Sequence, residues 1–161
     1  MGIVMDNYEN AMKLMEKLFS RDYQFAMATA ANTIPSLRFV DTYYDNGAFY
    51  SVTYANTDKV KEIAINPNIA LCGRKGYSFS GKAYNIGHPL LPENNDIRNK
   101  LIKAFEPWYF KHSNEADDIC LLKIVPESGF IHIDGIGYDI NFKDKTVNTA
   151  PFDFITVLTD E

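Results

Sequence analysis

Cysteine and histidine are scarce in this chain of 161 residues, and both scarcities limit the redox and metal sites that it could form. Cys72 and Cys120 are too far apart in sequence for a CxxC redox pair or a zinc knuckle. We expect both to be buried, reduced thiols, although their pairing stays open. His88, His112 and His132 form no HxxxH or HExxH motif. The sequence therefore predicts no metal site.

Long apolar runs and a surplus of positive charge are also lacking. Sixteen basic residues against twenty-one acidic ones give a net charge of −5. The basic residues are scattered rather than gathered in a stripe, so no nucleic-acid partner is expected. No apolar run approaches the length of a membrane span, and Asp6 and Glu9 stand where a secretory signal has basic residues. We therefore expect a cytoplasmic protein with no membrane partner.

Two common enzyme motifs are missing as well. Ser78 and Ser80 have no GxSxG elbow around them, which argues against a serine hydrolase. Gly135 and Gly137 lack the rest of a dinucleotide-binding fingerprint, which argues against a Rossmann loop. The apolar fraction of 46% and the charged fraction of 23% are those of an ordinary globular protein. We expect one domain over residues 1–161.

Segments with strand patterns alternate with three helical patterns. Apolar residues recur at helical spacing from Tyr8 to Phe19 and from Asp96 to Trp108, where Pro107 disrupts the helix. A short helix follows Thr57. The segments with strand patterns are 23–29, 37–44, 48–54, 69–74, 77–84, 119–125, 130–134 and 138–142.

These short segments, with turn signals between them, predict a closed or nearly closed antiparallel barrel of six or seven strands, with helices covering its ends. The expected fold class is thus mostly β with flanking helices (α+β). Residues 143–161 mix polar turns with Phe152, Phe154 and Ile155. We expect this segment to pack across a partner.

Residues 34–71 contain the groups that suit one bound anion. Arg38 offers a planar fork for two phosphate oxygens, Lys59 a compact charge and Thr53 a neutral donor. Thr57 is a fair N-cap, so the next helix would present its N-terminus to the same ligand. This pattern predicts a phosphate ester, although ordinary solvated surface residues also have this spacing, and the spacing alone does not decide between the two.

The same segment resembles the flavin-binding core of the pyridoxamine 5′-phosphate oxidase family, the FMN-binding split β-barrels. The resemblance extends from about Asp22 to about Phe142. The motifs that carry it are Pro35-Ser36-Leu37-Arg38-Phe39-Val40, Phe49-Tyr50 with Thr53, Thr57-Asp58-Lys59, Asn66-Pro67, Gly81-Lys82-Ala83, Pro107-Trp108-Tyr109 and the run from Leu121 to Ser128.

The resemblance implies an antiparallel split β-barrel of the FMN-binding type, with FMN at the interface of a homodimer. It assigns the FMN phosphate to Arg38, Thr53 and Lys59, and it places the nearby residues Ser51 and Thr57 in the same site. It also implies that the backbone around Phe39 and Val40 lies close to the flavin ring. Trp108 either covers the ring of the partner's flavin or is an ordinary core or interface aromatic residue.

Two departures from the family pattern bear on the substrate. The true oxidases have a further lysine where this chain has Tyr43 and Tyr44, and no Arg-x-His motif follows Phe142. We therefore expect an FMN-dependent oxidoreductase with an unknown small-molecule redox substrate, and we assign no catalytic residue. The alternative is a non-catalytic flavin- or haem-binding protein of the same fold, in which His132 is the candidate haem ligand. An empty barrel that serves only assembly is a third possibility.

Overall fold

The computed structural model describes residues 7–154, in which eight antiparallel strands and four helices are formed. The strands are β1 (Tyr23–Ala31), β2 (Ile34–Asp45), β3 (Ala48–Tyr54), β4 (Asn68–Cys72), β5 (Ser78–Asn85), β6 (Ile119–Ile133), β7 (Ile136–Asn141) and β8 (Thr146–Pro151). The helices are α1 (Asn7–Phe19), α2 (Asp58–Ile65), α3 (Asn95–Ala104) and α4 (Tyr109–His112).

Six of the strands close into a barrel. The order is β3-β2-β1-β4-β5-β6, and pairing between β3 and β6 completes the circle. The second half of β6 continues beyond the barrel and pairs with β7, which pairs with β8. The predicted antiparallel barrel with flanking helices is confirmed.

One long strand, β6, replaces two of the predicted strands. Pro126 lies between the two predicted segments, at the point where the register between β5 and β6 shifts next to Gly81. A proline is tolerated at such an irregularity because no regular ladder hydrogen bond is lost there. The prediction also missed β8, whose sequence from Thr146 to Pro151 lacks buried alternation.

Aromatic rings fill the barrel, and α1 closes one end of it. The helical stripe predicted for α1 is confirmed, since Ala11, Met15 and Phe19 are fully buried. The ring of Phe19 lies 5.4 Å from that of Phe25 and 5.7 Å from that of Phe49. A second, smaller apolar cluster lies under α3. Its buried members are Ile97, Leu101, Phe105, Tyr109 and Leu121.

Several local expectations are corrected. Trp108 is not helical, because α3 ends at Ala104 and α4 begins only at Tyr109. Cys72 and Cys120 are both free, but Cys72 is exposed rather than buried. No helix in residues 7–154 has the length and apolar character needed to cross a bilayer.

Part of the C-terminal segment packs within its own chain. The ring of Phe152 lies 4.9 Å from those of Phe130 and His132, and that of Phe154 lies 5.2 Å from His132. Ile155, which we expected to pack across a partner, lies outside the described residues.

Candidate functional site between strands β2 and β3

β2 and β3 are paired only near the turn that joins them. Their register runs from the pair Tyr43 and Tyr50 to the pair Asp45 and Ala48. Elsewhere in the described residues, β2 pairs with β1 and β3 pairs with β6. The edge of β2 at residues 39–41 and the edge of β3 at residues 51–53 therefore face each other without pairing to a strand. Because backbone N–H and C=O groups need partners, this gap offers hydrogen-bonding groups to a ligand.

A cavity of about 560 Å³, the β2–β3 cavity, occupies this gap. Its volume falls within the range of cofactor and small-molecule sites. Residues from β2, β3, the start of α2, the position before β1 and the segment from Trp108 to His112 meet there. The lining residues are Asp22, Phe39, Val40, Asp41, Ser51, Val52, Thr53, Lys59, Trp108 and His112.

Lys59 brings a half-buried positive charge to one end of the cavity. Burial lowers the pKa of its amine, and the neighbouring guanidinium of Arg38 lowers it further. A bound anion would offset both effects, because an opposite charge favours the protonated amine. The Lys59 end of the β2–β3 cavity is therefore suited to a phosphate.

The N-terminus of α2 lies at the same end. Thr57 occupies the N-cap position as predicted, but its hydroxyl donates to the carbonyl of Tyr54 at 2.8 Å and accepts no hydrogen bond from a helix N–H group. The amine of Lys59 lies 3.3 Å from the Thr57 hydroxyl oxygen. The first turn of α2 thus has no side-chain cap, and helix N–H groups of this kind favour an anion.

Arg38 lies behind the cavity rather than in its lining. Its Nη2 donates to Glu62 Oε2 at 2.9 Å, and its Nη1 donates to Thr29 Oγ1 at 2.7 Å. Glu62 also accepts hydrogen bonds from Thr29 at 2.5 Å and Ser36 at 2.9 Å. These two hydroxyls, and then Arg38, hold the pKa of Glu62 below its ordinary value. The predicted phosphate ligand Arg38 is thus close to Lys59 but already paired.

Acidic and aromatic groups line another part of the cavity. The indole Nε1 of Trp108 donates to Asp22 Oδ2 at 2.8 Å. The amide of Gln24 lies 3.5 Å from Asp41 Oδ1, which is a long contact. Burial and the charge of Asp22 raise the pKa of Asp41, while Gln24 and His112 lower it.

The structure brings most of the predicted site residues together. Those that line the cavity are Phe39, Val40, Ser51, Thr53, Lys59 and Trp108, whereas Arg38 and Thr57 lie beside it. The prediction missed Asp22, Asp41, Val52 and His112. Strand alternation places Asp41 on the same side as Phe39, so this residue could have been predicted. Asp22 and His112 come from distant segments, and no local pattern points to them.

A second cavity, of about 590 Å³, is a weaker candidate. It lies beside the C-terminal aromatic residues, where His132 Nε2 is 2.7 Å from the carbonyl of Lys75 and its ring stacks on Phe154. Its aromatic groups thus already contact one another. Within residues 7–154, no three His, Cys, Asp or Glu side chains cluster closely enough for a metal ion. The β2–β3 cavity is therefore the candidate site.

Comparison with known proteins identifies the fold. No protein-family model and no curated protein matches the sequence. Among solved structures, General Stress Protein 26 from Bacillus anthracis is 19% identical, with 75% of this chain and 92% of that chain covered and a TM-score of 0.59. A pyridoxamine 5′-phosphate oxidase-related, FMN-binding protein from Nostoc punctiforme is 13% identical, with 94% and 100% covered and a TM-score of 0.56.

The fold is the split β-barrel of the pyridoxamine 5′-phosphate oxidase-like proteins. A third similar structure, the heme storage protein HutZ from Vibrio cholerae, is 12% identical, with 76% of this chain and 92% of that chain covered and a TM-score of 0.56. In the chain described here, the split of the barrel is the gap between β2 and β3 that holds the cavity.

Proposed function

We propose that this protein binds FMN in the β2–β3 cavity and acts as an FMN-dependent oxidoreductase on a small-molecule substrate. The observation that carries the proposal is the combination, in one cavity, of a cationic end, two unpaired strand edges and an indole ring. The cationic end suits the phosphate of FMN, and the unpaired strand edges suit the hydrogen-bonding edge of its ring. The indole suits the flat aromatic surface of that ring.

The phosphate would lie at the end formed by Lys59, Thr53 and the N-terminus of α2. Lys59 supplies the charge, Thr53 a hydroxyl donor and the helix its first N–H groups. Arg38 adds positive charge from behind. A phosphate monoester matches this small, strongly positive end.

The flavin ring would lie along the unpaired edges, near the backbone of Phe39 and Val40 and beside Trp108. The exposed backbone groups would hold the polar edge of the ring, and the indole would border the ring. FMN, when bound, supplies the redox centre, while the protein orients it and limits access of water. The names of several split barrels that match this structure refer to FMN, FAD or F420, which supports a flavin.

A homodimer would complete the site. The large apolar side chains of Ile34, Leu37, Phe39 and Ile65 are each more than 60% exposed. Phe39 also lines the cavity, so a second copy that covers these side chains would cover the cavity as well. Size-exclusion chromatography with light scattering tests this point, because Leu37→Asp should shift a dimer towards the monomer.

The decisive experiment measures FMN binding. The protein is loaded with FMN, the excess FMN is removed, and the visible absorption spectrum reports how much is retained. We expect stoichiometric retention in the wild type. Lys59→Ala should weaken binding by about 10- to 100-fold, because charge-assisted contacts contribute roughly 1.5–3 kcal/mol. Arg38→Ala should weaken it too, because Arg38 lies near Lys59. Lys61→Ala, on the exposed face of the same helix, is the control.

Two results would contradict parts of the proposal. Equal FMN affinity in the Lys59 and Lys61 variants would contradict the phosphate site. Retained FMN that, once reduced, is oxidised no faster by quinone or nitroaromatic acceptors than by air would favour a binding protein without turnover. A haem spectrum in the purified protein would favour the haem-binding alternative.

A further inference from the structure

The charged groups of the β2–β3 cavity are segregated by sign. Burial and then the Arg38 guanidinium lower the pKa of Lys59, whereas burial and then the Asp22 carboxylate raise the pKa of Asp41. In the register of β1 and β2, Arg38 pairs with Met27, whereas Asp41 pairs with Gln24, three positions nearer the start of β1. The cavity therefore has a basic end at α2 and an acidic end at the start of β1 and the middle of β2.

The two carboxylates at the acidic end have few partners. The hydrogen bond from Trp108 orients the Asp22 carboxylate, and the amide of Gln24 contacts Asp41 only at 3.5 Å. Within residues 7–154, no lysine, arginine or histidine lies within ion-pair distance of Asp22 or Asp41. Their negative charges are thus available to a ligand.

Aromatic surface adjoins these carboxylates. Trp108 lines the cavity, and its other contacts include a stack on Phe105 with a centroid distance of 4.5 Å. An organic cation gains both from a nearby carboxylate and from the face of an indole ring, whereas an anion is repelled by the first and gains little from the second.

We propose that Asp22, Asp41 and Trp108 make the acidic end of the cavity selective for a planar organic cation, such as an N-alkylated heteroaromatic ring. This inference rests on the proposed function, in which that ligand would be the substrate lying next to the flavin. The two ends of the cavity then have different roles: the basic end holds the phosphate of the cofactor, and the acidic end selects the substrate.

A matched series of pyridines tests the inference. The cation 1-methylnicotinamide, neutral nicotinamide and the anion nicotinate share one ring and differ in charge. Trp108 is the only tryptophan, so saturable quenching of its fluorescence reports binding with or without FMN. At low salt we expect the cation to bind about 10-fold more tightly than nicotinate, and we expect added salt to reduce this ratio.

Substitution of the carboxylates should remove the preference. Asp41→Asn and Asp22→Asn should each lower the ratio of cation to anion affinity by about 3-fold or more. Asp134→Asn is the matched control. Asp134 is exposed at the turn between β6 and β7, where its positive φ of 50° is one that asparagine also adopts.

The outcomes separate this inference from the proposed function. If FMN binds but nicotinate binds as tightly as the cation, or if Asp41→Asn and Asp22→Asn leave the ratio unchanged, the charge selectivity is wrong and the flavin site stands. If FMN does not bind but the cation preference persists and disappears in Asp41→Asn, the flavin proposal is wrong and the selectivity stands.

Discussion

The closed wall of the barrel and the split between β2 and β3 use their backbone groups differently. β4 pairs with β1 and β5, and β5 pairs with β6 along nearly its whole length. β2 and β3 pair over three positions and then separate. A ligand can use only the hydrogen-bonding groups that the sheet has left free. Stability should therefore depend mainly on the closed wall and the aromatic interior, and binding on the split.

Phe49→Ala should cause the largest loss of stability. Phe49 is fully buried, and its ring lies within 5.7 Å of the rings of Phe19, Phe25, Tyr44 and Phe79. Truncation removes these contacts and leaves a cavity that close-packed neighbours fill only in part. We expect a loss of about 3–5 kcal/mol in the free energy of unfolding, measured by urea denaturation.

Phe39→Ala is the control for this substitution, because the same side chain is 66% exposed on the neighbouring strand. Its effect on the stability of the monomer should stay within about 0.5 kcal/mol. FMN affinity should fall instead, since Phe39 lines the cavity. Equal losses of stability in the two variants would contradict the division between interior and split.

Gly81→Ala tests the closed wall itself. An added Cβ at Gly81 would overlap the carbonyl oxygen of Val125 and lie 2.8 Å from the Cα of Pro126. These are backbone atoms of the adjacent strand, so relief requires β5 and β6 to move apart. We expect a loss of about 1–3 kcal/mol in thermal or urea unfolding. Ser80→Ala, at the preceding exposed position, should change little, and a comparable loss there would show that the close approach at Gly81 is unimportant.

The sequence predicts the closed wall better than the split. Alternation of apolar residues predicts the strands of the wall, because one face of each strand must be buried. The resemblance predicts Lys59, Ser51 and Thr53, which lie close together in sequence. It does not predict that Arg38 is paired with Glu62, because that contact joins a strand and a helix whose relative position depends on the tertiary fold.

Lys59→Met should stabilise the fold, whereas Phe49→Ala and Gly81→Ala should destabilise it. Burial and Arg38 lower the pKa of the Lys59 amine, so its charge is unfavourable in the ligand-free fold. Removal of that charge at neutral pH should raise the free energy of unfolding modestly, while FMN binding weakens as in Lys59→Ala.

The pH dependence of the free energy of unfolding tests whether loss of the Lys59 charge causes the gain in stability. Because the folded protein holds the proton of Lys59 less tightly than the unfolded chain, wild-type stability should gain from this group as the pH rises through its lowered pKa towards the ordinary lysine value. Lys59→Met should lack this gain. A variant that is less stable than the wild type at neutral pH would show that the side chain of Lys59 contributes to packing.

Among these variants, Glu62→Gln should give the smallest change in stability. It should also change ligand binding, because Glu62 pairs with Arg38 beside the cavity. The hydroxyls of Thr29 and Ser36, together with Arg38, lower the pKa of Glu62. A carboxyl group with a lowered pKa stabilises the fold above its ordinary pKa, and this contribution is lost as the pH falls through the lowered value. The difference between wild type and variant should therefore be greatest at neutral pH and shrink in acid. Glu93→Gln, at an exposed position, should show no such convergence.

The same substitution should strengthen FMN binding. Without a carboxylate beside it, the guanidinium of Arg38 keeps its full charge close to Lys59, and a phosphate would be the nearest anion available to both. A variant that is less stable at neutral pH yet binds FMN more tightly would show that Glu62 favours the fold at the expense of the ligand. If stability and affinity fall together, Glu62 instead holds Arg38 in the orientation that the phosphate requires.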